Sequence, residues 1–189
     1  MLNLYKDYIQ RLESSLDQFS WESVHHLSLS LQQAWRAGNK IFLCGNGGSA
    51  GNAIHLANDF IYGVDKIGGM GLQVEALPAN SSILTCLAND EGYETIFSHQ
   101  LKVKASSEDI LIVLSGSGNS PNIVSALKVG NDIGMKTYAI LGYSGGECKK
   151  LAQYPIHFEI EDMQISEDLQ LIVGHMNMQW LAENGKGVE

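Results

Sequence analysis

A parallel β-sheet covered by helices on both faces is the fold class this 189-residue sequence predicts. Three observations predict it. Short apolar runs such as ILIVLS (110–115) and TYAILG (137–142) have the length and composition of strands buried on both sides. Segments of helical periodicity separate them. Glycine- and serine-rich turns follow the strands directly, as where a parallel sheet passes from strand to helix. Hydrophobic residues are 44% and charged residues 17% of the chain, a globular composition that argues against disorder. The length suffices for one α/β domain with a full core.

Residues 3–36 read as helical. Apolar residues recur at Leu4, Tyr8, Leu12, Leu16 and Phe19, then at Val24, Leu27, Leu31 and Trp35. Gly38 and Asn39 end the stretch, and Ser20 is expected to cap a second helix with Glu22 and Ser23 in its first turn. This apolar face precedes the first strand and needs a partner, for which another subunit is suited. Strands are expected at 40–44, 72–76, 109–114, 136–141 and 155–160. Helices are expected at 48–61, 93–104, 120–133, 146–152 and 165–184, with a further short helix ending ahead of Asn89 and Asp90. No linker, repeat or low-complexity segment divides the chain, and the tail Asn184–Glu189 reads as frayed.

Twelve Lys and Arg against 21 Asp and Glu give a net charge of −9. Such a chain is a poor match for nucleic acid or an anionic membrane. A small phosphorylated ligand is still compatible, because backbone amides and hydroxyls hold a phosphate locally. Cys44, Cys86 and Cys148 form no CxxC and no disulfide framework, which fits a reducing cytoplasm. The sequence shows neither a signal peptide nor an apolar run of transmembrane length.

The segment IFLCGNGGSAGNAIHLANDF, residues 41–60, carries the densest chemistry. A strand runs into the turn Gly45, Asn46, Gly47, Gly48, Ser49 and then into a helix. Free backbone N–H groups at such a helix start can receive an anion. His55 and Asp59 follow, and a four-residue spacing sets imidazole and carboxylate one turn apart on one face. A second loop, Ser115-Gly116-Ser117-Gly118-Asn119-Ser120-Pro121, opens another helix with Pro121 suited to its first position. Its hydroxyls and amides make a good lining for phosphate oxygens. Neither loop is a P-loop or a dinucleotide fingerprint.

The last helix holds Glu167, Asp168 and His175. Two histidines with carboxylates suit Zn²⁺ or a similar divalent ion. Glu167 and His175 are eight residues apart, roughly 12 Å along a regular helix. One chain brings both to one ion only if that helix starts late or bends; otherwise neighbouring subunits must combine. Glu167 and Asp168 also read as first-turn charges that favour the helix dipole, with Ser166 as cap. Asn89 and Asp90 by themselves read as a turn or cap. His25, His26, His99 and His157 read as structural or exposed, and Met163, Met176 and Met178 as core or interface residues.

Taken together, CGNGGSAGNAIH, LANDEGYETIFSHQL, SGSGNSPNIVSAL, LGYSGGE and EDLQLIVGH make the chain similar to the sugar isomerase (SIS) domains, and within them to the phosphoheptose isomerases. The resemblance implies a single SIS domain over residues 1–189 with a helical extension at about 1–37. It implies a flavodoxin-like three-layer sandwich whose five-stranded parallel sheet is flanked by helices, a homotetramer, and active sites between subunits. It implies aldose–ketose isomerisation of a sugar phosphate, with substrate contacts at Asn46, Gly47, Gly48, Ser49, Asn89, Asp90, Ser115, Gly116, Ser117, Ser120 and Glu167. The metal positions fall on His55, Asp59, Glu167 and His175, and the acid–base roles on Asp59, Glu167 and His175. Two positions depart from the family pattern, which commonly has Glu at Asp59 and Gln at Glu167. Tyr62-Gly63-Val64-Asp65-Lys66 also lacks the basic residues usual there, which bears on which sugar is taken. A non-catalytic branch that binds the bacterial replication initiator lacks the histidines matching His55 and His175. A sugar-phosphate sensor without turnover is the third reading.

Overall fold

A computed structural model describes residues 2–65 and 70–185. Two helices, α1 (Leu2–Asp17) and α2 (Glu22–Ala37), precede the sheet. The strands are β1 (Lys40–Gly45), β2 (Gln73–Ala76), β3 (Ile110–Ser115), β4 (Lys136–Leu141) and β5 (Tyr154–His157). All pair in parallel in the order β2-β1-β3-β4-β5. The intervening helices are α3 (Gly47–Asn58), α4 (Ser81–Asp90), α5 (Ser98–Lys104), α6 (Pro121–Ile133), α7 (Gly146–Leu151) and α8 (Met163–Asn184).

Alternation along the strands sorts the core into two layers. Ile41 and Leu43 of β1, with Ile110, Ile112 and Leu114 of β3, face α2, α3 and α8. Phe42 and Cys44, with Leu111 and Val113, face α4, α5, α6 and α7. Strands buried on both faces therefore carry unbroken apolar runs, which is why the sequence reveals them. The strand order reverses between β1 and β3, so the loops after these two strands flank a topological switch point, where open parallel sheets bind ligands.

Several boundaries differ from expectation for local reasons. Trp21, not Ser20, is the N-cap of α2, and no side chain caps that helix. α8 begins at Met163, because the Asp162 carboxylate accepts the Ile165 N–H at 3.0 Å; Ser166, the expected cap, lies inside the helix with its hydroxyl on the Asp162 carbonyl. Asn89 and Asp90 form the last turn of α4 rather than following it. The segment 93–104 divides into a 3₁₀ turn, Tyr93–Thr95, and α5. β5 stops at His157, because the Phe158 N–H turns to the Leu141 carbonyl and the Ile160 N–H returns to Phe158. The expected frayed tail lies outside the described residues from 186 onward.

α1 is fastened to the start of α8. The Tyr8 hydroxyl donates to Asp168 and the Arg11 guanidinium donates to Asp162. Tyr8, Leu12, Leu16 and Phe19 pack on the core, whereas Leu4 stays 65% exposed.

Candidate active site

Two helix N-termini meet at the switch point. Asn46 is the N-cap of α3 and Ser120 the N-cap of α6, so both glycine-rich loops point unbonded helix amides at the same edge of the sheet. Within the second loop, Ser115 Oγ accepts the Gly118 N–H at 3.1 Å, and Ser117 Oγ accepts the Asn119 N–H at 3.3 Å. Ser120 makes no side-chain cap bond, so its hydroxyl is not committed to its own helix. Gly116 is buried against the start of α8, beside Met163 and Ser166.

Ser49 sits differently from its neighbours. It is 4% exposed, and its hydroxyl accepts from Gln170 Nε2 at 3.0 Å. Asn52 Nδ2 in turn reaches Gln170 Oε1 and the Glu167 carbonyl, each at 3.0 Å. These contacts clamp α3 onto α8 and turn Ser49 inward. Gly47 and Gly48 stay exposed. Asn89 and Asp90 are exposed and bonded to each other at 2.7 Å. The Tyr93 hydroxyl, just beyond them, donates to Asn46 Oδ1 at 3.1 Å and so ties that segment to the first loop.

A second centre lies where α3 and α8 pack together at Leu56 and Gly174. Gly174 of α8 packs against Leu56 of α3: a Cβ on that glycine would come within 2.7 Å of Leu56 Cδ1 and 2.9 Å of Cγ. This contact joins the residues adjacent to His55 and His175. Their Nε2 atoms lie 3.0 Å apart, and each lies 3.4 Å from Asp59 Oδ2. The cluster thus forms within one chain. Asp59 opens a π-turn over Asp59–Gly63, in which the Val64 N–H bonds back to the Asp59 carbonyl. Such turns widen a helix locally and recur at functional sites.

The spacing of this cluster passes a simple test for a metal. An ion with four tetrahedral bonds of about 2.0–2.1 Å holds its donors ~3.3 Å apart. The observed 3.0, 3.4 and 3.4 Å bracket that value. Two imidazole nitrogens and one carboxylate oxygen also match the three-protein-ligand set of a divalent site with an open position. Glu167 is placed elsewhere. With α8 starting at Met163, it lies in the second turn and outside the His55–Asp59–His175 group. Its carboxylate lies against Gly48, where a Cβ would come within 2.5 Å of the carboxyl carbon. One carboxylate therefore stands among the histidines and another beside the first loop.

Residues 4–142 match the SIS domain family. The chain is 41% identical over 141 residues to a phosphoheptose isomerase of Akkermansia muciniphila, covering 75% of this chain and 74% of that one. It is 34% identical over 172 residues to a phosphoheptose isomerase of Helicobacter pylori, covering 91% and 87%. The chain belongs to the SIS-domain family, among the phosphoheptose isomerases. The phosphoheptose isomerase of Neisseria gonorrhoeae superposes with a TM-score of 0.88 over 96% of both chains at 24% identity, a likeness of fold.

For a phosphoheptose isomerase the sequence reading omits three residues of this site. Asn122 and Gln170 are buried amides, and Tyr93 opens the short 3₁₀ turn after α4. Asn122 and Tyr93 are traced only by lying just past the serine loop and Asp90, and Gln170 leaves no trace, because it meets Ser49 across 121 residues. The remaining histidines stand apart from the cluster: His26 Nδ1 bonds Tyr138 Oη at 2.8 Å, and His157 Nε2 donates to the Tyr143 carbonyl at 2.8 Å.

Proposed function

We propose that this chain is an aldose–ketose isomerase that converts sedoheptulose 7-phosphate to D-glycero-D-manno-heptose 7-phosphate through a cis-enediol, supplying heptose for surface polysaccharide. The observation that carries the reading is the His55–His175–Asp59 cluster, formed between α8 and the α3 segment that begins at the glycine-rich loop.

The serine loop holds the phosphate end. Ser117 and Ser120 donate hydroxyl hydrogens, Ser115 and Gly116 shape the strand end, and the α6 N-terminus adds its dipole. Asn46, Gly47, Gly48, Asn89 and Asp90 line the path of the sugar hydroxyls. Ser49 acts here through Gln170, holding the loop on α8. His55, His175 and Asp59 are the residues that would hold a divalent ion, for which we infer Zn²⁺. When bound, such an ion polarises the carbonyl and the adjacent hydroxyl. A carboxylate must move a proton between C1 and C2. Asp59 and Glu167 are the two available, and Glu167 can also contact the sugar beside Gly48. Backbone amides at the two helix starts stabilise the enediolate charge. In the alternative in which His175 is not a ligand to the ion, its imidazole is suited to proton transfer between the two oxygens.

We further infer a cytoplasmic homotetramer with active sites between subunits. Leu2, Tyr5 and Ile9 form an exposed apolar stripe on α1, and Ile54, Ile61 and Met176 are exposed around the cluster, as residues awaiting a neighbour would be. No described helix is long and apolar enough to cross a membrane. The reading is tested by incubating the protein with sedoheptulose 7-phosphate and Zn²⁺ and resolving the sugar phosphates by chromatography. Formation of the aldose, lost on chelation and regained on adding Zn²⁺, is expected. No product with metal supplied would reject it.

A further inference from the structure

Asn46 and Asn122 form a reciprocal amide pair. Asn46 Nδ2 donates to Asn122 Oδ1 at 2.9 Å, and Asn122 Nδ2 donates back to Asn46 Oδ1 at 2.8 Å. The Ile123 N–H also donates to Asn122 Oδ1 at 3.1 Å, which fixes which end of that amide is oxygen and, through the pairing, orients Asn46 as well. The Tyr93 hydroxyl takes the second lone pair of Asn46 Oδ1. Asn46 Oδ1 is therefore fully used, and Nδ2 keeps one free N–H. Asn122 is completely buried, while Asn46 is half-buried at the rim of the site.

The pair bridges two elements of different duty. Asn46 is the N-cap of α3, at the sugar loop, and Asn122 is the second residue of α6, at the serine loop. A bonded pair between two helix starts fixes the distance from the phosphate cradle to the loop that meets the reacting end of the sugar. Tyr93 locks the same amide from the side of Asn89 and Asp90.

We propose that Asn122 and Tyr93 are positioning residues: by clamping the Asn46 amide they set the span between the two loops, and so the chain length of the sugar phosphate that reacts. The proposal rests on the isomerase reading above. It also makes Asn46 a donor only, offering its single free N–H to a substrate oxygen.

The test compares the wild type with Asn122→Asp and Tyr93→Phe. Asn122→Asp keeps the size and both acceptor contacts but cannot donate to Asn46; Tyr93→Phe alters an exposed hydroxyl and leaves the fold intact. For each protein, kcat/KM is measured on sedoheptulose 7-phosphate and on fructose 6-phosphate, one carbon shorter. The ratio of the two is independent of the active fraction, so a merely structural defect leaves it unmoved. A misplacement of ~1 Å costs on the order of 100-fold in rate. The expected result is a fall in the seven-to-six-carbon ratio of about tenfold in Asn122→Asp and about threefold in Tyr93→Phe, through kcat more than KM. An active wild type with an unchanged ratio in both variants overturns the clamp and leaves the isomerase reading standing. A wild type that turns over neither sugar overturns that reading and the clamp's role with it.

Discussion

Replacing Gly174 with alanine should disable the metal centre without touching a ligand. The added Cβ would lie 2.7 Å from Leu56 Cδ1 and 2.9 Å from Cγ, and nearer still to Cδ2. Carbon atoms pack at about 3.5–4.0 Å, so the contact is short by at least ~0.8 Å. Leu56 is 1% exposed and enclosed by the core, so the relief expected is that α3 and α8 part. A shift of ~0.8 Å carries the His55 and His175 Nε2 atoms from 3.0 Å to about 3.8 Å, beyond the ~3.3 Å that one tetrahedral ion spans. Overpacking costs about 1–3 kcal/mol, and alanine returns about 1 kcal/mol of helix propensity, so the fold survives with a net loss of up to about 2 kcal/mol. The assay is Zn²⁺ competition with a chromophoric chelator, beside urea denaturation. At least a tenfold loss of affinity is expected, of the size seen when ligand-orienting residues are changed (about 10–100-fold). Adding Leu56→Ala should restore the affinity while lowering stability by about 2–5 kcal/mol, because it removes the clash and leaves a cavity. Unchanged Zn²⁺ affinity in a folded Gly174→Ala protein would refute the link between helix approach and the cluster.

Other outcomes follow from local geometry. Gly48→Ala should push the Glu167 carboxylate from the first loop and lower kcat by about tenfold or more with little change in melting temperature, since both groups are accessible; unaltered kinetics would place Glu167 outside the reaction. The Asp162 carboxyl is held below its usual range, first by the Ile165 N–H at the α8 start and then by the Arg11 guanidinium. A depressed folded value means its stabilisation is complete above about pH 4 and is lost as pH falls further; acid unfolding curves of the wild type and Asp162→Asn should differ above that pH and converge below it. Burial raises the thiols of Cys44 and Cys148, the latter to about 12. Cys86 is exposed, with its thiol raised by a hydrogen bond to Asp90. Iodoacetamide at pH 8 should label Cys86 alone in the native protein and all three cysteines in denaturant, as counted by mass spectrometry; Asp90→Asn should speed the native reaction.

Legibility in the sequence followed burial and spacing. β3 and β4 are readable because both faces are covered, leaving the apolar runs 110–114 and 138–141. β5, at the sheet edge, is shorter than its apolar content implies, since its end is set by hydrogen bonds to Leu141 and within 158–160 that no pattern announces. The i,i+4 pairing of His55 and Asp59 was visible on one helix. That His175 joins them is a tertiary fact, resting on the missing side chain at Gly174. Glu167 illustrates the converse: eight residues from His175, it could share an ion within one chain only through an irregular helix, and Asp162 caps α8 early enough to keep it regular, which leaves a neighbouring subunit as the remaining route. The clamp of Asn46, Asn122 and Tyr93 was invisible, because amide pairing depends on which loops meet at the switch point. The π-turn after Asp59 left no composition signal either.

The claim that all else depends on is proton transfer between C1 and C2 of the phosphoketose beside the two histidines. Running the reaction in deuterated water and reading the product by ¹H NMR measures it directly. The account predicts deuterium at C2 of the aldose in the Zn²⁺-loaded protein, and none when His55 or His175 is replaced by alanine. Deuterium incorporation that survives loss of both imidazoles would contradict it.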